Sequence, residues 1–205
     1  MAETAQWTPR SAWAGIAQPG TFGAAGRGGV TATLLEGHGL ASLIAAPGGA
    51  EALARRVEQS LGLALPTAPR IVSGAGHDVI WSGPDQWLLR ARSRGEMPSL
   101  IAELARYAAV SDQSDARAAL RLSGPHLRDA LAKGVMIDLH PAAFAVGDAA
   151  ATSVAHLGVQ LWRLPDAAEG PAFEIMVARS LAGSFWSWFA ASAAEFGCRV
   201  VAGRG

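Results

Sequence analysis

The chain has 205 residues, half of them hydrophobic and 17% charged, which suits one large cored domain or two small ones and excludes wholesale disorder. Seventeen basic residues balance seventeen acidic ones, so no long-range field draws the protein to nucleic acid or to an anionic membrane. Cys198 is the single cysteine, which excludes an internal disulfide and a cysteine-based metal cluster, and the opening MAETAQWTPRSAWAG lacks the apolar core of a secretory signal, so a soluble cytoplasmic protein is expected.

Residues 1–38 read differently from the rest. Gly20, Gly23, Gly26, Gly28 and Gly29 crowd a segment with no sustained period, punctuated by Trp7, Trp13 and Phe22. Such a segment cannot bury its own apolar groups, so we expect an extended arm whose aromatics anchor on a partner or on the protein's own body. Its run GAAGRGG, Gly23 to Gly29, has the glycine density of a phosphate loop, but that loop needs a buried strand before it and a helix N-terminus after it. Thr21-Phe22 and Val30-Thr31-Ala32-Thr33 supply neither, which leaves a flexible arm.

From Gly39 the chain becomes regular. Leu40 to Ala46 is strand-like and stops at Pro47-Gly48-Gly49; a helix follows to about Leu61, with Leu53, Val57 and Leu61 on one face and Glu51–Arg55 as a surface i,i+4 pair. Beyond the loop marked by Pro66 and Pro69, His77 to Trp81 alternates as a strand. Ser82-Gly83-Pro84-Asp85 turns it, and Gln86 to Arg90 returns as the second arm of a hairpin. A second helix starts near Pro98, and Ala109 to Asp112 reads as the next strand.

The same order then repeats. Ala118, Leu120 and Leu122 alternate with Arg117 and Arg121 as a half-buried strand, Ser123-Gly124 breaks it, and Pro125 opens a helix with Leu127 and Leu131 inward, closed by Gly134. Strands near Thr152–His156, Gln160–Arg163 and Phe173–Val177 follow, then a helix over 181–196 and a last strand at Arg199-Val200-Val201. The pattern predicts an α+β fold: two tandem βαββαβ (ferredoxin-like) halves with antiparallel sheets, residues 39–115 and 116–205, preceded by the arm of residues 1–38.

No catalytic signature emerges from this pass. His38, His77, His126, His140 and His156 are scattered without metal-ligand spacing, so surface or loop histidines are expected. In Asp138-Leu139-His140-Pro141 the aspartate is expected to accept from nearby backbone N–H groups. Arg199 beside Cys198 would favour a reactive thiolate, but a buried, inert thiol is the better reading. Ser123 sits between strand and helix as in a nucleophile elbow, but without the flanking glycines of G-x-S-x-G, and it fits better as a helix N-cap.

The helix 181–196 stands out. Leu181, Phe185, Trp188, Phe189 and Phe196 make one face and Trp186 with Ala182, Ala190 and Ala193 another, while Glu195 is its lone charge. Either it is a core helix, or its Trp186 side docks on a partner.

The run ALRLSGPHLRDALAKG, then DLHPAAFAVG, a strand ending in QLWRL, and FEIMVARSLAGSFWSWFAASAAEFG resembles, in that order and spacing, the gamma subunit of heterotetrameric sarcosine oxidase; the hairpin WSGPDQWLL fits as well. The resemblance runs from about Gly39 to the C-terminus. It implies an aminomethyltransferase-like fold, related to the folate-binding T-protein of glycine cleavage. It also implies a place beside alpha, beta and delta subunits, with the main contact on alpha, in a complex that demethylates sarcosine to glycine. FAD, FMN, NAD, tetrahydrofolate and zinc are then expected on the other chains, with no catalytic, cofactor-binding or metal residue in this one. Trp7, Trp13, Phe22 and Trp186 are the candidate partner contacts. A free-standing folate-dependent aminomethyl transferase, or an interaction subunit of another flavin amine oxidase, are the alternatives. The transferase needs an enclosed pterin cleft and a positioned carboxylate, and no acid is singled out by its context.

Overall fold

The computed structural model describes residues 10–24 and 28–204. Two strands come first, β1 (Gly20–Phe22) and β2 (Val30–Glu36). The first half then runs β3 (Gly39–Ala45), α1 (Ala50–Leu61), β4 (Ile71–Ser73), β5 (His77–Gly83), β6 (Gln86–Ala91), α2 (Met97–Leu104) and β7 (Ala108–Asp112). The second runs β8 (Arg117–Ser123), α3 (Leu127–Ala132), β9 (Ala149–Val154), β10 (Leu157–Ala167), β11 (Gly170–Ala178), α4 (Ala182–Ala193) and β12 (Cys198–Arg204).

These strands form two sheets. A five-stranded sheet has the order β4-β5-β6-β3-β7 and is antiparallel throughout. A seven-stranded sheet has the order β1-β12-β2-β8-β11-β10-β9. Helices α1 and α2 cover the outer face of the first sheet, where Leu43, Leu53, Val57, Trp87, Leu89 and Leu104 pack. Helices α3 and α4 cover the outer face of the second, over Leu120, Leu122, Leu161, Phe173 and Ile175. The inner faces of the two sheets meet through Leu35, Leu40, Ile80, Leu88, Trp162 and Met176. Each sheet is thus buried on both sides, which explains runs such as Phe173 to Val177 in which every side chain is buried.

The arm predicted over residues 1–38 ends earlier than expected. Val30–Glu36 is an interior strand, parallel to β12 from Val30↔Cys198 to Glu36↔Arg204 and antiparallel to β8. Val30, Ala32 and Leu34 face α3 and α4, while Thr31 and Thr33 alternate with them. Each half runs βαβββαβ, with three strands between its helices where βαββαβ was expected, and in the second half a strand from the N-terminal segment also sits between the last strand and the first. The glycine-rich flank had hidden an alternation whose polar members are only threonines.

The turn after β8 also differs in detail. Gly124 has φ +131°, and a Cβ there would lie 2.4 Å from the carbonyl oxygen of Gly29, so glycine is needed where this turn presses on the start of β2. Helix α3 begins at Leu127, not at Pro125, and His126 rather than Ser123 holds the N-cap position, with no side-chain cap. The Gly124-Pro125-His126 turn supplies the backbone contacts instead, Leu127 N–H donating to Gly124 O at 3.2 Å.

Candidate functional site

The arm's aromatics form a seam against α4. Trp13 is 1% exposed, and its Nε1–H donates to the carbonyl of Ala119 in β8 at 3.1 Å. Its ring meets Trp186 edge-on at 6.2 Å, and Phe22 meets the same Trp186 at 6.2 Å from the other side of the seam. Strand β1 ties Phe22 down by pairing with β12, and Ala24 N–H donates to Ala194 O at 2.7 Å at the end of α4. Trp13 therefore anchors on the protein's own body, because β8 and α4 together shape an apolar slot with one carbonyl positioned for the indole N–H. Phe22 and Trp186 remain partly exposed, and Trp7 lies outside the described residues.

This seam accounts for the under-charged last helix. Phe185 and Phe189 are in the core, Trp186 lies under the arm, and Trp188 lies against Gly134, where a Cβ would come within 2.7 Å of the indole. What faces outward is Gly183, Ser184, Ser187 and Ala191, small residues without charge.

The other positions marked in the sequence occupy separate settings. Asp138 accepts from the backbone N–H of His140 at 2.8 Å, the turn role expected of it. His126 stacks on Phe196 at 5.1 Å and pairs with Asp129 at 3.0 Å; His77 pairs with Glu96 at 3.0 Å; His156 sits at φ +68° in the tight β9–β10 turn. Cys198 is 3% exposed, and burial pushes its thiol up to about 11. It is a buried neutral thiol at physiological pH, despite Arg199 beside it. The described ends of the Gly23–Gly29 run are pinned to the end of α4, Gly29 N–H donating to Phe196 O at 3.1 Å.

Sequence reasoning missed a buried ionic bridge between the sheets. Arg90 of β6, 2% exposed, donates to Asp78 of β5 through Nε and Nη2 at 2.9 and 2.7 Å and reaches Glu174 of β11 through Nη1. Glu174 is 1% exposed and also accepts from Arg121 of β8 at 2.7 Å. Arg90 lies 5.5 Å from the centroid of Trp162, near enough for a cation–π contact. Burial alone would lower the Arg90 pKa, but Glu174 and Asp78 outweigh it and hold the guanidinium above its ordinary value. The one local signal was an acid inside an otherwise apolar strand, Phe173-Glu174-Ile175.

Beside this bridge a cleft of about 1130 Å³ opens where the β2–β3 turn, the segment after β6 and the link between the halves converge. Arg10, Arg92, Arg94, Arg117 and Arg179 line it, with His38, against the carboxylates of Glu36 and Asp115. Glu36 accepts from the Ser11 hydroxyl, and Asp115 is held by both oxygens to Arg94, with Arg179 at 3.8 Å. The hydrogen bond from Arg94 keeps the Asp115 carboxyl below its ordinary range. His38 is 7% exposed with both ring nitrogens unpaired; burial first, then the charge of Arg90, lowers its pKa to about 4, so the imidazole is neutral near pH 7.

Comparison with known proteins accords with this architecture. The family model for the sarcosine oxidase, gamma subunit family matches residues 46–195. The sarcosine oxidase subunit gamma of Corynebacterium sp. (strain U-96) is 34% identical over 148 residues, 69% of this chain and 69% of that one. The gamma subunits of Corynebacterium sp. (strain P-1) and Arthrobacter sp are 39% and 42% identical over 120 and 108 residues. Those two alignments span only a little over half of the relatives, 57% and 53%, and a similar share of this chain. Among solved structures, a chain of the heterotetrameric sarcosine oxidase from Corynebacterium sp. U-96, in complex with pyrrole 2-carboxylate, superposes with a TM-score of 0.77 at 30% identity, covering 92% of this chain and 96% of that one. The glycine cleavage system aminomethyltransferase T from Bartonella henselae shares the fold, with a TM-score of 0.59 at 17% identity over 85% of this chain and 48% of that one. With the family match running across most of its length, the chain belongs to the sarcosine oxidase gamma subunit family.

Proposed function

We propose that this chain is the gamma subunit of a heterotetrameric sarcosine oxidase and that it serves assembly rather than chemistry. The observation that carries the reading is its likeness, over 92% of its length, to a chain of such a heterotetramer. In this reading the alpha, beta and delta chains hold FAD, FMN, NAD, tetrahydrofolate and zinc. They oxidise sarcosine to glycine, with hydrogen peroxide and formaldehyde or methylene-tetrahydrofolate as co-products. The gamma chain contributes a stiff body with its main contact on alpha. The buried Arg90 bridge locks its two sheets in one relation, and the packed arm leaves Phe22 and Trp186 as the seam residues able to face another chain. Among the described residues no helix is long and apolar enough to cross a membrane, and the proposal places the complex in the cytoplasm.

The test is affinity capture of the tagged chain from its native cells, followed by mass spectrometry and an absorbance scan. The proposal expects alpha, beta and delta chains in equal amounts with a flavin spectrum. A colourless single chain would contradict it, and one that bound tetrahydrofolate would point to a transferase instead.

A further inference from the structure

We propose that the cleft at the junction of the two halves is a binding site for a small organic polyanion carrying two or more carboxylate or phosphate groups. The protein has no net charge, yet this one cleft gathers Arg10, Arg92, Arg94, Arg117 and Arg179 against Glu36 and Asp115 in its lining, with the buried Asp78, shared with Arg90, 3.7 Å from Arg92. A concave surface lined by one sign of charge concentrates ligands of the other. Both carboxylates are already engaged, Glu36 by Ser11 and Asp115 by Arg94 and Arg179. Arg117 is left without an ion-pair partner among the described residues, and its Nε is buried and unpaired.

His38 adds an independent pointer. Its imidazole is more than nine-tenths buried, forms part of the cleft lining, and has neither ring nitrogen paired. Buried polar groups in folded proteins are almost always paired, because leaving one unmet forfeits its hydration with nothing in return. The His38 nitrogens and the Arg117 Nε are closed to solvent in this structure, so an oxyanion reaches a His38 N–H only as that side chain shifts, whereas the outer nitrogens of Arg117 are open to it, and guanidinium groups engage carboxylate and phosphate in bidentate fashion. Arg92 and Arg94 come from the segment after β6, whereas Arg117 opens β8 and Arg179 follows β11, so cationic groups reach the cleft from separate elements. That arrangement, and a volume of about 1130 Å³, fit a molecule with several anionic groups better than a single inorganic ion. The inference is independent of the assembly role, since it concerns a ligand of this chain and its test needs no partner subunit.

The test is isothermal titration of the full chain with citrate and, separately, with pyrophosphate, at an ionic strength held constant with chloride. The proposal expects saturable single-site binding of at least one of them with Kd below about 1 mM. A preference for citrate would mark a carboxylate ligand and a preference for pyrophosphate a phosphate one. Arg117→Met and Arg92→Met each weaken binding by about tenfold or more, while Arg55→Met on the distant face of α1 leaves it unchanged. Urea midpoints check that each variant is folded; should Arg117→Met unfold, the exposed Arg92 still decides the outcome. No saturable binding of either anion, or affinities unchanged in a folded Arg92→Met variant, would overturn the proposal.

Discussion

Arg90 is the residue on which the junction of the sheets depends. A buried ion pair adds little over a well-packed apolar replacement, but removing one partner strands the other charge without solvent. Glu174→Gln leaves Arg90 with Asp78 alone and deprives Arg121 of its acid. The variant should lose about 3–5 kcal/mol of stability in urea unfolding, and a loss below about 1 kcal/mol would show the bridge to be solvated. His38 makes a pH-dependent contribution of the opposite kind. Above pH 6.5 it is neutral in both the folded and the unfolded chain, but below that the unfolded chain takes up a proton that the folded chain refuses until about pH 4. Stability therefore falls as the pH drops from 6.5 toward 4, by up to about 3 kcal/mol from this group. His38→Leu should flatten that part of the urea-midpoint profile relative to the parent; identical profiles would contradict the assignment. Neither residue stood out in the sequence, where Arg90 closes an ordinary hairpin strand and His38 follows a glycine. Their burial depends on sheet-to-sheet packing, which local pattern does not report.

At the scale of elements, the segments with a clear period were legible: α1, α2, β5, β6, β8 and β11 lie where alternation or helical spacing placed them. Strand β2 was not. Its parallel neighbour β12 comes from the far end of the chain, and its alternation sets apolar residues against threonines inside a glycine-rich context. Trp13 was legible as an anchor but not in its target, since the slot it fills is built by β8, more than a hundred residues away. Its indole now reads as part of the core, so Trp13→Ala should cost about 3–5 kcal/mol, measured by chemical unfolding of the isolated chain. A near-neutral effect there, with loss appearing only in a complex, would return Trp13 to the partner-contact set. Gly124 tests the turn at which β8, α3 and the start of β2 meet. Gly124→Ala combines an unfavourable φ with a clash against Gly29, and should lower the melting temperature by more than Gly76→Ala, a position whose Cβ would meet open space. Equal effects would mean that the turn relaxes freely.

For the whole molecule, the fold class and the family were readable because long stretches of the second half carry a specific order of motifs. The cleft was not, since it is assembled from the arm, the β2–β3 turn, the segment after β6, the inter-half link and β12. Its arginines come singly or in pairs from the arm, the segment after β6, the start of β8 and the segment after β11, and look like ordinary surface charge in isolation. The central claim is that this chain builds the complex without taking part in its chemistry. The most direct test is to co-express the alpha, beta and delta chains with and without it, and to compare assembled mass, flavin content and sarcosine-dependent peroxide formation. The account predicts that the chain enters the complex in equal proportion. Without it assembly falls away, while turnover per flavin in whatever complex remains intact is unchanged. A fully assembled, fully active complex formed without this chain would contradict the assembly role. An intact complex whose turnover per flavin collapsed without it would show instead that the chain takes part in the reaction.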